Sequence, residues 1–429
     1  MNPKLLILAA AIALAVTQPA SAATWQWTGN ASTGDWQTAA NWGNSTLNTS
    51  FNGTFADRLN VNSPQALIYT SAEGVTVYGS NATRGLAVGS GNGTAGQSGN
   101  MVITGGTFST LNATGSNGDV IGNGNNTTGI LTVNGGNFIG ATAGTNIGIG
   151  AGTGRVSTLN VQAGTATITT LNLNSTLATV NLSGTGVLEV NSISRTVGTT
   201  GNINFNGGTL KARAASAIFL TGLTTATVNG GGIAVDSSGF DITVGQSLLA
   251  GAGSGGLTKL GSGTLTLNGT NTYNGTTTIT GGTLKIGAAE RIADASNVSM
   301  ASGATLNANG FSETLGTLVL TGSATLDLGA GGSNTLAFAN SSALDWSTFT
   351  LTINNWSGTN FLKFGTDSTG LTAGQLANIN FTGFGTGAAI DASGFVTAIP
   401  EPGTWIMVGI GLTFLLYRRR SSRLSDKDF

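Results

Sequence analysis

The 429-residue sequence contains no cysteine and no histidine. Without cysteine the chain can form no disulfide and offers no thiolate nucleophile. Without histidine it has no imidazole base, and without either residue it cannot build a Cys/His zinc site. We therefore expect no metal and no cofactor. A fold that lacks disulfides needs another source of stability, which stacked repeats provide.

Charge and proline are also scarce. Asp, Glu, Lys and Arg make up 8% of the residues, against about 25% in an ordinary domain. No basic stripe occurs, so a nucleic-acid partner is not predicted. Glycine accounts for 69 residues and proline for 5, together about 17%, which is below the roughly 25–30% typical of disordered chains. Since Leu, Ile and Val recur regularly, the composition indicates an ordered β protein with glycine turns.

The most regular stretch of the sequence is residues 256–287. Its apolar residues first fall on odd positions, as at Leu265 and Leu267, and a period of two indicates a half-buried strand. After Gly281 and Gly282 the apolar residues fall on even positions instead. A slip of one residue would turn every side chain to the wrong face, so the glycine pair predicts a turn or bulge. Such short strands cannot bury their own apolar face and must stack on neighbours.

This stretch closely resembles the autotransporter-associated β-strand repeat of bacterial surface passengers. The resemblance covers about 32 residues and implies a β-helical coil in an exported protein. The residues that carry it are Gly256, Leu257, Lys259, Gly261, Gly263, Leu265, Leu267, Gly269, Asn271, Tyr273, Gly275, Thr277, Gly282, Leu284 and Gly287.

A second repeat precedes it. G-x-G strings that begin at Gly89, Gly122 and Gly150 are each followed by an apolar strand pattern, and they are 33 and 28 residues apart. A strand after the glycines, where a phosphate loop needs a helix, favours turns over a nucleotide site. Periods of this length indicate a solenoid. The sequence thus predicts an all-β fold, a right-handed parallel β-helix over residues 85–350, with stacked asparagines such as Asn160 and Asn181 forming turns or amide ladders.

Each end of the predicted solenoid has a distinct segment. Residues 23–84 are predicted to form an N-terminal cap, because terminal repeats must cover an open coil. The alternative is that its tryptophans form a sugar-stacking platform for glycan contact. Residues 351–398 are predicted to form a small C-terminal cap, with Thr372 as the N-cap of a short helix that has Leu376 and Ile379 on one face. The four tryptophans of the N-terminal segment are Trp25, Trp27, Trp36 and Trp42.

Residues 1–22 have the form of a signal peptide. Lys4 supplies the positive end, an apolar run follows, and Ala20 and Ala22 form a small-residue cleavage site. The apolar run is about 12 residues long, which is shorter than the roughly 20 that a membrane span needs. We therefore expect this segment to direct export and to be removed.

The C-terminal segment, residues 399–420, has three parts: a Pro400-Glu401-Pro402 motif, an apolar run over 405–417, and a cluster of Arg418, Arg419 and Arg420. This order resembles the PEP-CTERM sorting signal. The resemblance implies recognition by an exosortase-type enzyme in the inner membrane of a Gram-negative bacterium, followed by release or attachment outside the cell, often alongside exopolysaccharide production.

The apolar run and the arginines predict how the chain meets the membrane. As a transmembrane sorting helix the run would be about 20 Å long, against a hydrocarbon core of about 30 Å, so we expect a transient anchor. Positive residues stay cytoplasmic, which leaves residues 421–429 as a cytoplasmic tail and the solenoid on the far side. A permanent membrane anchor is the alternative.

The function expected from these features is non-catalytic: a structural or adhesive protein of the cell surface or extracellular matrix, associated with exopolysaccharide through a long Thr/Asn/Gly face that can hydrogen-bond glycans. The alternative is a polysaccharide-cleaving β-helix enzyme, a lyase or hydrolase. Its nearest candidate groups are Asp236 with Asp241, and Glu290 with Arg291 and Asp294. Paired-carboxylate hydrolysis requires a separation of about 5–9.5 Å between the carboxyl groups, and the spacing in sequence establishes it for neither grouping. The second group favours a surface ion pair in an interruption between coils.

Overall fold

The computed structural model describes residues 153–399, apart from 332 and 347. In the preceding part it describes residues 25–27, 54–55, 59–61, 67–69, 75–77, 86–90, 96, 98–110, 119–123, 125–140 and 145–149. The chain divides into two compact units, residues 1–202 and 203–429. Nearly all regular structure in the described residues is β-strand.

The first unit is a stack of parallel strands. Long strands are each flanked by neighbours in parallel register, and the alternating burial along them places every second side chain inside. Its strands are β1 (Trp25–Trp27), β2 (Thr54–Phe55), β3 (Leu59–Val61), β4 (Leu67–Tyr69), β5 (Val75–Val77), β6 (Leu86–Ser90), β7 (Ser98–Ile103), β8 (Thr107–Ser109), β9 (Asp119–Asn123), β10 (Thr128–Ile139), β11 (Thr145–Ile149), β12 (Val156–Leu173) and β13 (Leu177–Arg195).

Asparagines of the first unit form the predicted amide ladder. The Asn181 side-chain Nδ2 donates to Asn160 Oδ1 at 2.8 Å, and Asn160 Nδ2 donates to Thr132 Oγ1 at 3.1 Å. The three residues lie at matching positions of successive strands. A continuous chain of side-chain hydrogen bonds thus crosses three coils, because like residues stack when strands pair in parallel register.

The second unit is built from shorter strands of the same kind. They are β14 (Gly201–Ala212), β15 (Ser216–Leu220), β16 (Thr225–Val228), β17 (Ile233–Asp236), β18 (Ile242–Val244), β19 (Leu248–Ala250), β20 (Leu257–Leu260), β21 (Thr264–Leu267), β22 (Thr277–Ile279), β23 (Thr283–Ile286), β24 (Val298–Met300), β25 (Thr305–Asn307), β26 (Glu313–Leu315), β27 (Leu318–Leu320), β28 (Ala324–Asp327), β29 (Asn334–Phe338), β30 (Leu351–Asn354), β31 (Asn360–Phe364), β32 (Ile379–Phe381), β33 (Gly385–Thr386), β34 (Ala388–Ile390) and β35 (Phe395–Ala398), with one helix, α1 (Ala373–Ala377).

These strands stack in parallel columns, as the repeat pattern predicts for a solenoid. One face runs through β17, β20, β22, β24 and β27. A second face runs through β18, β21, β23, β25, β28, β30 and β32. On a third side β26, β29 and β31 pair in parallel. The prediction of an all-β parallel solenoid is confirmed.

The phase change predicted at Gly281 and Gly282 is present. Leu265 and Leu267 before the pair, and Leu284 after it, are all fully buried, so both halves of the repeat face the same core. Gly282 has φ +63°, a left-handed conformation that favours glycine. A Cβ at this position would lie 2.5 Å from the carbonyl oxygen of Gly263 in the neighbouring coil, so the close stacking also requires glycine.

The segment predicted as the C-terminal cap begins with strands that still belong to the stack. β30 pairs in parallel with β28, and β31 with β29, so parallel pairing continues past residue 350. Antiparallel pairs then appear: β33 with β32, and β35 with both β31 and β34. Antiparallel partners occupy strand edges that would otherwise extend the stack.

Helix α1 follows the predicted N-cap but is shorter than expected. The Thr372 hydroxyl accepts from the Gln375 backbone N–H, and the Gln375 side chain accepts from the Thr372 N–H, which forms a capping box. The helix ends at Ala377, and Ile379 begins β32 instead of sharing a helix face with Leu376. Gln375 is the buried residue of this helix. Its side-chain amide donates to two backbone carbonyls inside the fold.

Candidate functional site

Five threonines, one on each of five stacked strands, form a column on the outer surface of the second unit. Pairing places Thr264 of β21 beside Thr283 of β23, and the column continues through Thr305, Thr325 and Thr352. In every strand the residue after the threonine is buried and the threonine is half-buried, so its side chain points outward. We call this column the threonine ladder; at a strand spacing of about 4.8 Å its four steps span about 19 Å.

Most hydroxyl groups of the threonine ladder are free to bind a ligand. No hydrogen bond joins the hydroxyl of any ladder residue after Thr264 to another residue in the described part of the chain. Thr264 differs, because its hydroxyl and its backbone N–H both bond to the carboxylate of Asp241 and hold the pKa of that group below its ordinary value. Each free hydroxyl can donate one hydrogen bond and accept two.

A second outward column lies beside the ladder, two residues further along the same strands. We call it the mixed column. It contains one cation and one anion and carries no net charge. Within it, Asn307 Nδ2 donates to Asp327 Oδ2 at 3.1 Å, and the backbone N–H of Gly329 donates to Asp327 Oδ1 at 2.9 Å, so this carboxylate is held in place. The residues of the mixed column are Thr266, Lys285, Asn307, Asp327 and Asn354.

Aromatic side chains lie where the two columns end. Trp356 follows β30 by two residues, and its ring centroid lies 5.1 Å from that of Phe381 and 5.0 Å from that of Phe384. Both contacts are edge-on, with interplanar angles of 66° and 90°. Phe381 is buried, whereas Phe384 is 45% exposed. An apolar surface is therefore available at the C-terminal end of the polar columns.

Four polar residues that carry the resemblance to the repeat, Lys259, Asn271, Tyr273 and Thr277, have a different role, since their side chains are buried. Lys259 is fully buried between Val235 and Ile279 of the adjacent strands. Its Nζ donates to Leu260 O and Gly261 O, both at 2.8 Å, and contacts Ser237 Oγ at 3.0 Å and Gly281 O at 3.2 Å. Burial lowers the pKa of Lys259 to about 8, partly countered by Asp236.

Other inward polar groups also tie one coil to the next. Asn271 accepts from Leu248 N at 2.8 Å and donates to Arg291 O at 2.7 Å. The Tyr273 hydroxyl bonds to Thr277 Oγ1 at 2.9 Å, and Thr277 Oγ1 bonds in turn to Ser296 Oγ of the next coil at 3.0 Å. Burial raises the pKa of the Tyr273 phenol. Asn271, Tyr273 and Thr277 are repeat positions, so these residues of the repeat supply bonding within and between coils, and the outward residues remain as candidates for ligand contact.

Glu313 is a buried acid outside the repeat. Its Oε2 accepts from Arg291 N at 2.9 Å and its Oε1 from Ile292 N at 2.6 Å, in the coil before it. Burial raises the pKa of this carboxyl to about 7, although the two backbone donors act in the opposite direction. Because the carboxyl group is buried, it contacts the neighbouring coil and not solvent.

The acids considered for catalysis are engaged locally. Asp236 Oδ1 accepts from Ser238 N at 2.7 Å, in a turn. The ion pair predicted within the group of Glu290, Arg291 and Asp294 does not form among the described residues. Glu290 accepts from the backbone and hydroxyl of Thr314, and Arg291 donates to Thr270 instead. Among the described residues no group of three or more metal-ligating side chains could hold a metal ion.

Most sequence-predicted site residues lie outside the described residues. These are the cleavage-site Ala20 and Ala22, Trp36, Trp42, and the sorting residues 400–402 and 418–420. Trp25 and Trp27 form β1, which pairs in parallel with β3, and their side chains are not described. The glycan contact and sorting roles of these residues stay predictions.

The sequence predicted a Thr/Asn/Gly face but not the residues of the threonine ladder, the mixed column or the Trp356–Phe384 pair. Thr-x-Thr in β21 and Thr-x-Asn in β25 are visible in the sequence as outward positions of strands. What the sequence does not show is that they align, because the number of residues between successive ladder threonines varies.

Comparison with family models gave two matches. The model described as passenger-associated-transport-repeat matches residues 257–286, and the model described as PEP-CTERM protein-sorting motif matches residues 398–420. No curated protein and no solved structure matches the chain. The two modules predicted from sequence are therefore confirmed at the expected positions.

The described part of the chain has no helix that is long and apolar enough to cross a membrane. Its last strand, β35, ends at Ala398, where the match to the sorting motif begins. The chain carries a passenger-type β-strand repeat inside a parallel β-solenoid and a PEP-CTERM sorting motif directly after it, which together indicate an exported surface protein.

Proposed function

We propose that this protein is a non-catalytic, structural or adhesive component of the cell surface or extracellular matrix that associates with exopolysaccharide. The observation that carries the proposal is the sorting motif at residues 398–420 placed directly after a β-solenoid. A solenoid exposes long rows of similar side chains on its faces, which suits contact with repetitive polymers.

The proposal includes processing of the C-terminal segment by an exosortase-type enzyme. Pro400 and Pro402 fix φ and disfavour helix at the residues before them, which suits an extended substrate segment. Because β35 ends at Ala398, these residues come shortly after the last strand of the described part of the chain. The apolar run at 405–417 and the following arginines hold the chain transiently in the inner membrane, with the solenoid on the outer side.

We also propose that the protein is not catalytic. The hydrogen bonds and the burial of the candidate acids support this part of the proposal. Asp236 and Asp241 accept hydrogen bonds from backbone N–H groups of turns and neighbouring strands. Glu313, the acid with the raised pKa, is buried and bonded to two backbone donors. A glycosidase needs two carboxyl groups facing one accessible bond.

Cell fractionation tests the proposal. Wild-type protein is expected outside the cell with the polysaccharide fraction, and digestion of that polysaccharide should release it. Replacement of Pro400, Glu401 and Pro402 by alanine leaves the apolar run intact and should trap the protein in the inner membrane. Unchanged release of the alanine variant would contradict processing at this motif. New reducing ends or unsaturated sugars produced by the purified protein would show that it is an enzyme.

A further inference from the structure

We propose that the outward face formed by β21, β23, β25, β28 and β30 is a binding site for a neutral, extended polysaccharide that lies across the coils along the threonine ladder. This inference rests on the surface function proposed above and adds the face, the class of ligand and its direction. Neither the repeat nor the sorting motif specifies the face, the ligand or the direction. The hydrogen-bonding side chains that carry the resemblance to the repeat, such as Lys259 and Asn271, point inward.

The first support is the hydrogen-bonding capacity of the ladder. From Thr283 to Thr352, four outward hydroxyls in successive coils have no partner among the described residues. Parallel pairing fixes their spacing at about 4.8 Å per coil. A polymer with hydroxyl groups at regular intervals can satisfy several of them at once, whereas a compact ligand reaches only one or two.

The second support is the charge of the surface. The mixed column places one lysine, Lys285, and one aspartate, Asp327, beside the ladder, and amide and hydroxyl groups fill its other positions. Asp327 is already held by Asn307 and by Gly329. Asp241 adds a second carboxylate at the Thr264 end of the ladder. The surface therefore has no excess of positive charge to attract a polyanion, which favours a neutral glycan.

The third support is the aromatic end of the site. Trp356 and Phe384 lie next to each other beyond Asn354 and Thr382, which are themselves joined by a hydrogen bond of 2.6 Å. The exposed ring of Phe384 offers an apolar surface on which the carbon-bound hydrogens of a sugar ring can pack. The threonine ladder and the mixed column offer hydrogen bonds, and the aromatic ring at their end offers apolar contact. A carbohydrate requires both kinds of contact.

The neighbouring face of the same unit has a shorter column of hydroxyl residues and provides a control. Its outward column has hydroxyl residues at Thr258, Thr278 and Ser299 only, and it is bounded by Ala234 and Val319. Since these residues are half-buried like those of the ladder, substitutions there disturb the fold to a similar degree.

The test is a triple variant, Thr283→Val, Thr305→Val and Thr325→Val, in the full chain. Valine keeps the branched shape and strand preference and removes the hydroxyl, so the unfolding midpoint should stay close to that of wild type. Binding is measured by electrophoresis in gels that contain hydroxyethyl cellulose, laminarin, soluble starch, polygalacturonate or polysaccharide extracted from the producing cells. Loss of three neutral hydrogen bonds should weaken binding of a neutral polysaccharide by roughly tenfold to hundredfold.

Two matched controls accompany it. The variant Thr258→Val, Thr278→Val, Ser299→Ala changes the neighbouring face and should bind like wild type. Phe384→Ala should weaken binding, whereas Phe361→Ala should not, because Phe361 is exposed to a similar extent, 40%, but packs against Phe395 away from the ladder.

Several outcomes would overturn the inference. Wild-type binding by the triple variant would do so, as would binding of polygalacturonate alone, or retardation of wild-type protein by none of the five polymers. A thermal-hysteresis activity lost in the triple variant without any glycan binding would assign the ladder to ice. If wild type and triple variant fractionate equally with the matrix polysaccharide, the threonine ladder is not the binding site, while the proposed surface function stands.

Discussion

At the scale of single residues, the inward polar side chains explain how a chain without disulfides holds its coils together. Lys259, Asn271 and Glu313 each bond to backbone atoms of another coil or of a turn between strands. Such bonds matter because an unpaired buried polar group costs about 1–3 kcal/mol. The coils are thus joined by side chains as well as by strand pairing.

Replacement of Lys259 by methionine should destabilise the second unit by about 1–3 kcal/mol, because backbone carbonyls that accept from its ammonium lose a buried donor. Methionine is similar in length and apolar, so the effect reports the lost bonds more than a cavity. Lys285→Met is the control, since Lys285 points outward, and it should change stability by less than about 0.5 kcal/mol. The measurement is the urea unfolding midpoint. Equal midpoints for the two variants would contradict this role of Lys259.

Glu313 should make stability depend on pH. Its pKa is about 7 in the folded protein, against 4.5 as the ordinary value, so the folded chain holds this proton more tightly than the unfolded chain. The contribution of this carboxyl to the free energy of unfolding is then present in full below about pH 4.5 and is lost as the pH rises through about 7. The loss is on the order of 3 kcal/mol. The chain has no histidine to add a slope of its own in this window.

The check is the unfolding midpoint of wild type and Glu313→Gln between pH 4.5 and 7. Wild type should lose stability across this range, and the glutamine variant should show a flatter profile, because its side chain does not titrate. A wild-type profile that rises with pH, or one that the variant reproduces, would show that the carboxyl is not held protonated by burial.

At the scale of strands, the alternation of apolar residues predicted which side chains are buried. Leu265, Leu267 and Leu284 are all buried as their positions in the pattern require, because a strand in a solenoid has one inner and one outer face. The pattern did not predict which residues of different coils lie side by side. That register depends on the lengths of the turns, which vary along the chain.

Because side chains of β21 alternate between the core and the outer surface, substitutions at two adjacent residues should differ in their effect on stability. Leu267→Asp places an unpaired carboxylate in the core, which is strongly unfavourable, and should lower the unfolding midpoint markedly. Thr266→Asp places the same group on the outer surface and should have little effect, because Thr266 is half-buried and outward. Both variants are compared by thermal unfolding with strand circular dichroism as the signal. Equal midpoints would mean that the assigned facing is wrong.

At the scale of the whole molecule, the sequence predicted the fold class and both recognised modules but not the candidate site. The repeat at 257–286 and the sorting motif at 398–420 are local patterns, so a single stretch of chain shows each of them. The threonine ladder is assembled from residues that are distant in sequence, Thr264 to Thr352, and exists only once the coils have stacked. Polar residues at outward positions look alike in sequence whether or not they align.

In the proposed sorting route, the exported solenoid is separated from its C-terminal segment at the sorting motif. Intact-mass measurement of protein recovered outside the cell, with peptide sequencing of its C-terminus, tests this separation. We expect a chain that ends near Pro402 and lacks the apolar run and the arginine cluster. Extracellular protein that still carries Phe429 would contradict it and would favour a permanent anchor.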